Sequence, residues 1–209
     1  MITLEDIQKY RAYLKYLDKK LGAIFEEQSP YIFCKEGCSS CCEKGEYPFT
    51  EIEFAYLMIG VQGVNKETFE QIEQNMKKIK EDKSNNKDKK FLYACPFLIN
   101  KRCSLYEYRG IICRSHGVAF FSQNNQLLVP ACVDEGLNYS NVYDFEKQEI
   151  SGEKFHQLGI KQEPLAHNVG VYYLTKNEMT EAIGLDFGEI KPMYEWFIHD
   201  LNQAQNKKN

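Results

Sequence analysis

No stretch of this 209-residue chain approaches the run of about 18 apolar residues that a membrane-spanning helix requires. The longest apolar stretches, such as Ala55-Tyr-Leu-Met-Ile-Gly60, fall far short. The opening residues, Met-Ile-Thr-Leu-Glu-Asp-Ile-Gln-Lys-Tyr, lack the basic start, apolar run and small-residue cleavage site of a secretory signal, so a cytoplasmic location is expected. Charge of one sign is lacking too. With 26 Lys and Arg against 30 Asp and Glu, a net charge of -4 and a pI near 5.7, there is no basic footprint for nucleic acid or anionic lipid. Also missing are a G-x-G-x-x-G fingerprint, a phosphate loop, a Ser–His–Asp arrangement and a carboxylate pair at a telling spacing. Hydrolysis and phosphoryl transfer therefore have no sequence support. No internal repeat is present.

What the chain does have is cysteine. Of its eight, four fall within nine residues, Cys34-Lys-Glu-Gly-Cys38-Ser-Ser-Cys41-Cys42, and Cys95, Cys103, Cys113 and Cys132 follow. A chain of this length can bury a hydrophobic core and does not need disulfides to hold it, and thiols stay reduced in the cytosol. Thiolate sulfur is soft and binds zinc, copper(I) or iron tightly, and four thiolates satisfy a tetrahedral ion or the irons of a cluster. The short Cys38-x2-Cys41 spacing lets two sulfurs on one turn reach one centre, with a second pair expected from the 95–113 segment. Adjacent side chains usually diverge, so one of Cys41 and Cys42 is expected to serve the ion and the other a second centre or the core. Eight cysteines allow two four-sulfur sites, or one site with four spare thiols. For an isolated cysteine such as Cys132, simple burial explains the residue as well as ligation does.

His116, three residues after Cys113, is more simply a satisfied hairpin-edge histidine than a nitrogen ligand. Arg109 and Arg114 flank Cys113 and are candidates to hydrogen-bond thiolates and offset a centre's negative charge, with surface ion pairing as the competing account.

The periodicity predicts a helix over about 4–28, capped by Thr3 and Asp6, with Ile7, Tyr10, Leu14, Leu17, Leu21, Ile24 and Phe25 inward and Ser29-Pro30 as its stop. Thr50 and Glu53 form a capping box for a second helix, which Gly60-Val-Gln-Gly63 is expected to break. A third helix over about 67–81 carries Phe69, Ile72, Met76 and Ile79 on one face, and 83–90 reads as an exposed linker. Gly117–Pro130 reads as a β-hairpin turning at Asn124-Asn125, and helices are expected near 176–184 and 192–204, the latter starting at Lys191-Pro192. The fold class expected is α+β, mainly α: helices around an irregular cysteine-rich metal-binding core with a small β-hairpin. The division expected is 1–132, with its cysteine core over 33–132, and a helical extension over 133–209.

Phe33-Cys34-x3-Cys38-x2-Cys41-Cys42, followed by Cys95-Pro96-Phe97-Leu98, Cys103-Ser104-Leu105-Tyr106-Glu107, Arg109 and Cys113-Arg114, resembles the CxxCxxCC cysteine-cluster proteins, the YkgJ family. The resemblance covers about 33–132. It departs in the extra residue between Cys34 and Cys38 and in Gly110, where the family commonly has proline. It implies chelation of zinc or iron, with Cys34, Cys38, Cys41, Cys42, Cys95, Cys103 and Cys113 as the metal-site residues and a metal ion or cluster as partner; Cys132 is added to the expected metal site on the cysteine count alone. It implies little chemistry. A similar cysteine domain occurs in the flagellin lysine N-methylases, where an iron–sulfur cluster and S-adenosylmethionine are implicated, so a cluster-dependent enzyme is the alternative to a structural or metal-handling module with a protein partner. For such an enzyme, Tyr139, Tyr143, Tyr172, Tyr173 and Trp196 are candidates for a substrate wall, though packing explains them more simply. The Cys34-x3-Cys38-x2-Cys41 spacing equals the radical-enzyme triplet, but the chain is shorter than a radical barrel and Cys42 breaks the usual context. A redox sensor cycling between thiols and disulfides is a third reading.

Overall fold

A computed structural model describes residues 2–35, 37–86, 91–122 and 124–197. The chain is α+β and mainly helical, with small two-stranded antiparallel sheets. It divides into two compact units, each assembled from separated stretches: Met1–Ile7, Gly37–Gly110 and Asp186–Asn209 in the first, Gln8–Glu36 and Ile111–Leu185 in the second. The expected boundary at 132 falls inside the second unit. The helix Leu4–Glu27 passes from one unit into the other along the chain. Its start is fixed as the sequence implies: the Asp6 carboxylate accepts from the Thr3 backbone N–H at 2.9 Å, and the Asp6 N–H donates to the Thr3 hydroxyl at 3.2 Å. Ile7, Tyr10, Leu14, Leu17, Leu21 and Ile24 are buried along one stripe, and a 3-10 turn at Ser29–Tyr31 ends it.

In the first unit, strand Pro48–Thr50 pairs antiparallel with Ile190–Pro192, Phe49 opposite Lys191. Thr50 then caps the helix Glu51–Gln62 through a complete capping box. The buried Glu53 carboxylate accepts from the Thr50 N–H at 3.0 Å and its hydroxyl at 2.7 Å, while the Glu53 N–H donates to Thr50 Oγ1 at 3.3 Å. This helix ends within the expected 60–63 segment; Gly60 is still helical and makes room for a ring, since a Cβ there would sit 2.5 Å from Tyr108 Cγ. The break comes at Gly63, which closes the helix with an N–H to the Gly60 carbonyl. The next helix, Lys66–Asn85, is capped by Asn65 and extends beyond the expected 81. Residues 83–85 of the expected linker are thus helical, and 87–90 lie outside the described residues. Ile72, Met76 and Ile79 are buried, but Phe69, placed on the same face by periodicity, is 41% exposed.

A short hairpin then pairs Leu98–Ile99 with Arg102–Cys103. It turns on Asn100 (φ 50°) and Lys101 (φ 60°), both in the left-handed region that a two-residue type I′ turn demands. Gly110 closes against Glu53 and Phe49. A Cβ there would meet Glu53 Oε1 and Phe49 Cζ, each at 2.7 Å, so a proline ring would force both to move. Residues 193–197 are helical, and the remainder of the helix expected over 192–204 falls outside the described residues. Pro192 ends a strand immediately before those helical residues.

In the second unit, Tyr31, Ala119, Tyr139 and Val142 form a buried cluster in which the two tyrosine rings stack 5.7 Å apart. The expected hairpin is present as Phe120–Phe121 against Leu127–Leu128, turning through Asn125 at φ 55°. A second hairpin pairs Tyr143–Asp144 with Glu149–Ile150. Short helices follow, among them Gly152–Leu158 capped by Ser151 and Glu178–Ala182 capped by Asn177. Among the described residues, no helix is long and apolar enough to cross a membrane.

Candidate functional site

The cysteines are divided between the units. Cys38, Cys41, Cys42, Cys95 and Cys103 belong to the first, and Cys34, Cys113 and Cys132 to the second. In the first unit, Ser40–Glu43 makes a single helical turn. Its entry is held by the Ser39 carbonyl, which accepts from the N–H groups of Cys42 at 2.7 Å and Glu43 at 3.1 Å, and by the Ser39 hydroxyl, which donates to the Glu43 carboxylate at 2.6 Å. Residues 42–45 then lie antiparallel to 93–95. Gly45 and Tyr93 exchange backbone bonds at 3.0 and 3.1 Å, and the Cys95 N–H donates to the Cys42 carbonyl at 2.8 Å. Beyond Cys95 the chain turns (Leu98 N–H to Cys95 O, 3.0 Å) into the hairpin that places Cys103 opposite Leu98. Long-range backbone pairing therefore carries the 95–103 segment to the 41–42 turn.

The two adjacent sulfurs converge rather than diverge: Cys41 Sγ and Cys42 Sγ stand 3.8 Å apart. The hydrogen bond shared with Cys42, then burial, push the Cys41 thiol far above the ordinary thiol range. Burial also raises Cys103, offset in part by a backbone hydrogen bond from Leu105 and by the Arg109 charge, while Cys41 is near enough to add to the rise. Cys95 is buried, Cys103 half-buried and Cys38 exposed. The Arg109 guanidinium carbon stands over the Tyr106 ring, 3.7 Å from its centroid, and Arg109 donates to the Tyr106 carbonyl at 2.7 Å, within electrostatic reach of Cys103.

Two supporting tyrosines had no signal in the cysteine spacing. The Tyr47 hydroxyl reaches the carbonyls of Cys41 and Tyr93, each at 3.3 Å. Its ring occupies the space that a side chain at Gly45 would need, 2.8 Å from the Cβ position. Tyr93 packs edge-on against Tyr47 at 5.2 Å, and burial pushes its phenol up. Tyr194 joins the same aromatic wall 5.5 Å from Tyr93.

In the second unit, Cys132 is buried in the 3-10 turn Ala131–Glu135, Cys113 is half-buried in the helix Ile111–Ser115, and Cys34 is exposed. The fully buried Asn138 side chain ties these stretches: Oδ1 accepts from the N–H groups of Phe33 and Cys34 at 2.8 and 2.9 Å, and Nδ2 donates to the Gly117 carbonyl at 2.7 Å. Arg114 makes a forked contact with Asp18 at 2.8 and 2.9 Å, its own side chain 6% exposed, which is the ion pairing expected as the competing account. His116 is exposed at the end of the 111–115 helix.

The chain matches no family model, no curated protein and no solved structure. The fit to a metal is therefore judged on the donors themselves. Among the described residues, no three His, Cys, Asp or Glu side chains already stand as a ligating group. The first unit supplies one preformed pair of soft donors at ligand spacing, a third thiol within electrostatic reach and a fourth on the segment bonded to the pair's backbone. That donor set is chemically right for zinc or iron, which would need all four thiolates gathered at one point. Of the aromatic candidates, Tyr139 is fully buried, and Trp196 donates to the Phe49 carbonyl at 3.0 Å and stacks on Phe54, so both are accounted for by packing.

Proposed function

We propose that this protein binds a zinc ion or an iron–sulfur centre through thiolates of the first unit, Cys41, Cys42, Cys95 and Cys103, in a structural or metal-handling role. The observation that carries the reading is the meeting of separated stretches: two sulfurs in contact on the 40–43 turn, and the Cys95 N–H bonded to the Cys42 carbonyl at 2.8 Å. The resemblance to the CxxCxxCC proteins points the same way from the residues alone. Bound there, the metal supplies a cross-link between the 40–43 turn and the 95–103 segment, and ligation energy becomes folding energy. The protein's own residues hold the turn (Ser39, Tyr47), pair the segments (Gly45, Tyr93) and offset thiolate charge (Arg109). Reduced thiols are required, which fits a cytoplasmic location. Chain purified without oxygen should carry about one such centre by elemental analysis, colourless with zinc or absorbing in the visible with iron and sulfide. Cys103→Ser should lose the metal and Cys132→Ser keep it. Metal retained in full by Cys103→Ser would refute the assignment.

A second reading, a cluster-dependent enzyme similar to the flagellin lysine N-methylases, draws on one observation. An open groove of about 760 Å³ in the first unit is bordered by Cys95, Glu43, Lys44, Lys78, Asp82 and Tyr93 and could admit a small molecule beside Cys95. Calorimetry with S-adenosylmethionine under anaerobic conditions should then show saturable binding. No heat of binding at millimolar ligand would discard this reading.

A further inference from the structure

Adjacent residues on a helical turn do not face each other, and their side chains ordinarily point to different neighbours. At Cys41 and Cys42 they meet, with sulfurs 3.8 Å apart. Core packing does not account for the contact, because both side chains are half-buried rather than enclosed. The backbone on either side of the pair is held from three directions: the Cys41 carbonyl by the Tyr47 hydroxyl at 3.3 Å, the Cys42 N–H by the Ser39 carbonyl at 2.7 Å, and the Cys42 carbonyl by the Cys95 N–H at 2.8 Å. None of these bonds uses a sulfur, so the pair is positioned while both thiols remain available to a ligand.

Four sulfurs placed tetrahedrally about 2.3 Å from one zinc ion lie about 3.8 Å from one another, the edge of the tetrahedron. The same edge separates the two thiolates on each iron of a two-iron cluster, where four cysteines serve two metals. A four-iron cubane differs: its four cysteines serve four irons, one at each, and the bound sulfurs radiate from separate corners. Two sulfurs at 3.8 Å on a turn pinned at three backbone atoms match the first two cases, whereas a cubane would have to pry them apart.

We infer that Cys41 and Cys42 chelate one and the same metal ion, so that the centre is mononuclear or a two-iron cluster and not a four-iron cubane. The inference rests on the thiolate reading above and specifies it: both members of the pair are ligands, to one ion. It replaces the expectation that one adjacent cysteine serves the metal and the other a second centre or the core.

The test uses the reduced full chain under anaerobic conditions, titrated with cobalt(II) and, separately, reconstituted with iron and sulfide. Cobalt should bind with tetrahedral visible bands and a thiolate charge-transfer band in the near ultraviolet. Cys41→Ser and Cys42→Ser should each lower that charge-transfer intensity by about a quarter, one sulfur of four, and weaken cobalt binding at least about tenfold. Cys42→His keeps a donor at the position and covers the case in which the serine variant does not fold. X-ray absorption of its zinc form should show three sulfurs and one nitrogen. Cobalt binding in Cys42→Ser or Cys42→His with the wild-type sulfur count would overturn the inference while leaving thiolate binding intact. So would a four-iron Mössbauer signature in the reconstituted wild-type chain that disappears in both Cys41→Ser and Cys42→Ser. A wild-type chain that binds neither cobalt nor iron overturns the metal reading itself, and the inference with it.

Discussion

Zinc held at a hundred times its dissociation constant should raise the chain's stability by about 2.7 kcal/mol, since a ligand that binds only the folded form stabilises it by mass action. For a chain of this size that corresponds to an increase of roughly 5–10 °C in Tm. The increase should be reversed by chelator, fall to about 1.4 kcal/mol or less in Cys41→Ser, whose affinity is at least about tenfold weaker, be lost in Cys103→Ser, and be present in Cys132→Ser, whose sulfur belongs to the other unit. The ratio of zinc to dissociation constant sets the size of the effect, and the affinity itself reflects what the metal would join. The 95–103 segment is attached to the 40–43 turn by the Gly45–Tyr93 bridge and by one bond from Cys95 to Cys42, a short ladder for so distant a pairing. A cross-link that closes the loop between them removes unfolded-chain entropy, which grows slowly with loop length but is already substantial for some fifty residues. Differential scanning calorimetry with and without zinc measures the shift. An unchanged Tm in saturating zinc would count against ligation by these thiols.

Asn138→Ala is expected to cost about 3 kcal/mol with no metal present, which would lower Tm by roughly 6–12 °C. The side chain is fully buried and serves three backbone groups from two other stretches: the N–H groups of Phe33 and Cys34 and the carbonyl of Gly117. Truncation deprives three polar groups of a partner at once, and each buried unsatisfied group costs about 1–3 kcal/mol where water cannot replace it. Gly117 sits at φ 109° with Asn138 Nδ2 3.0 Å from where a Cβ would stand, so the backbone there is shaped around this amide. Asn138→Asp separates the two halves of the role. It keeps the acceptor for Phe33 and Cys34 but sets a carboxylate oxygen against the Gly117 carbonyl, so it should destabilise at least as much near neutral pH and recover in part on acidification. Urea denaturation of the three proteins would check this. An Asn138→Ala variant within about 0.5 kcal/mol of wild type would show that the amide does not hold these stretches together.

Helix ends were the most legible part of the chain. Thr3 with Asp6 and Thr50 with Glu53 each place a hydroxyl and a carboxylate three residues apart, and both form the reciprocal bonds that this spacing allows, because a cap involves only neighbours in sequence. The turn at Asn124-Asn125 was readable for the same reason, asparagine tolerating positive φ. Reading by residue type failed where a distant group set the outcome. The expected break over 60–63 falls at Gly63, while Gly60 is a seat for Tyr108, and Gly110 is a close approach to Phe49 and Glu53 that the sequence did not signal. The Leu98–Cys103 hairpin was missed because Asn100-Lys101 is not a strong turn signal, although both residues adopt the required positive φ.

The sequence by itself determined that thiols cluster in two stretches, that helices begin at Leu4 and Glu51, and that no apolar run is long enough to span a membrane. These are properties of neighbours along the chain, decided by spacing, capping and hydropathy. Only the tertiary structure decided that Cys41 and Cys42 face each other, that the 95–103 segment pairs with the 42–45 backbone, and that the Asn138 amide ties the backbone of Phe33 and Cys34 to Gly117. Those outcomes depend on which remote backbone groups find partners, and side-chain spacing along a chain does not encode that choice.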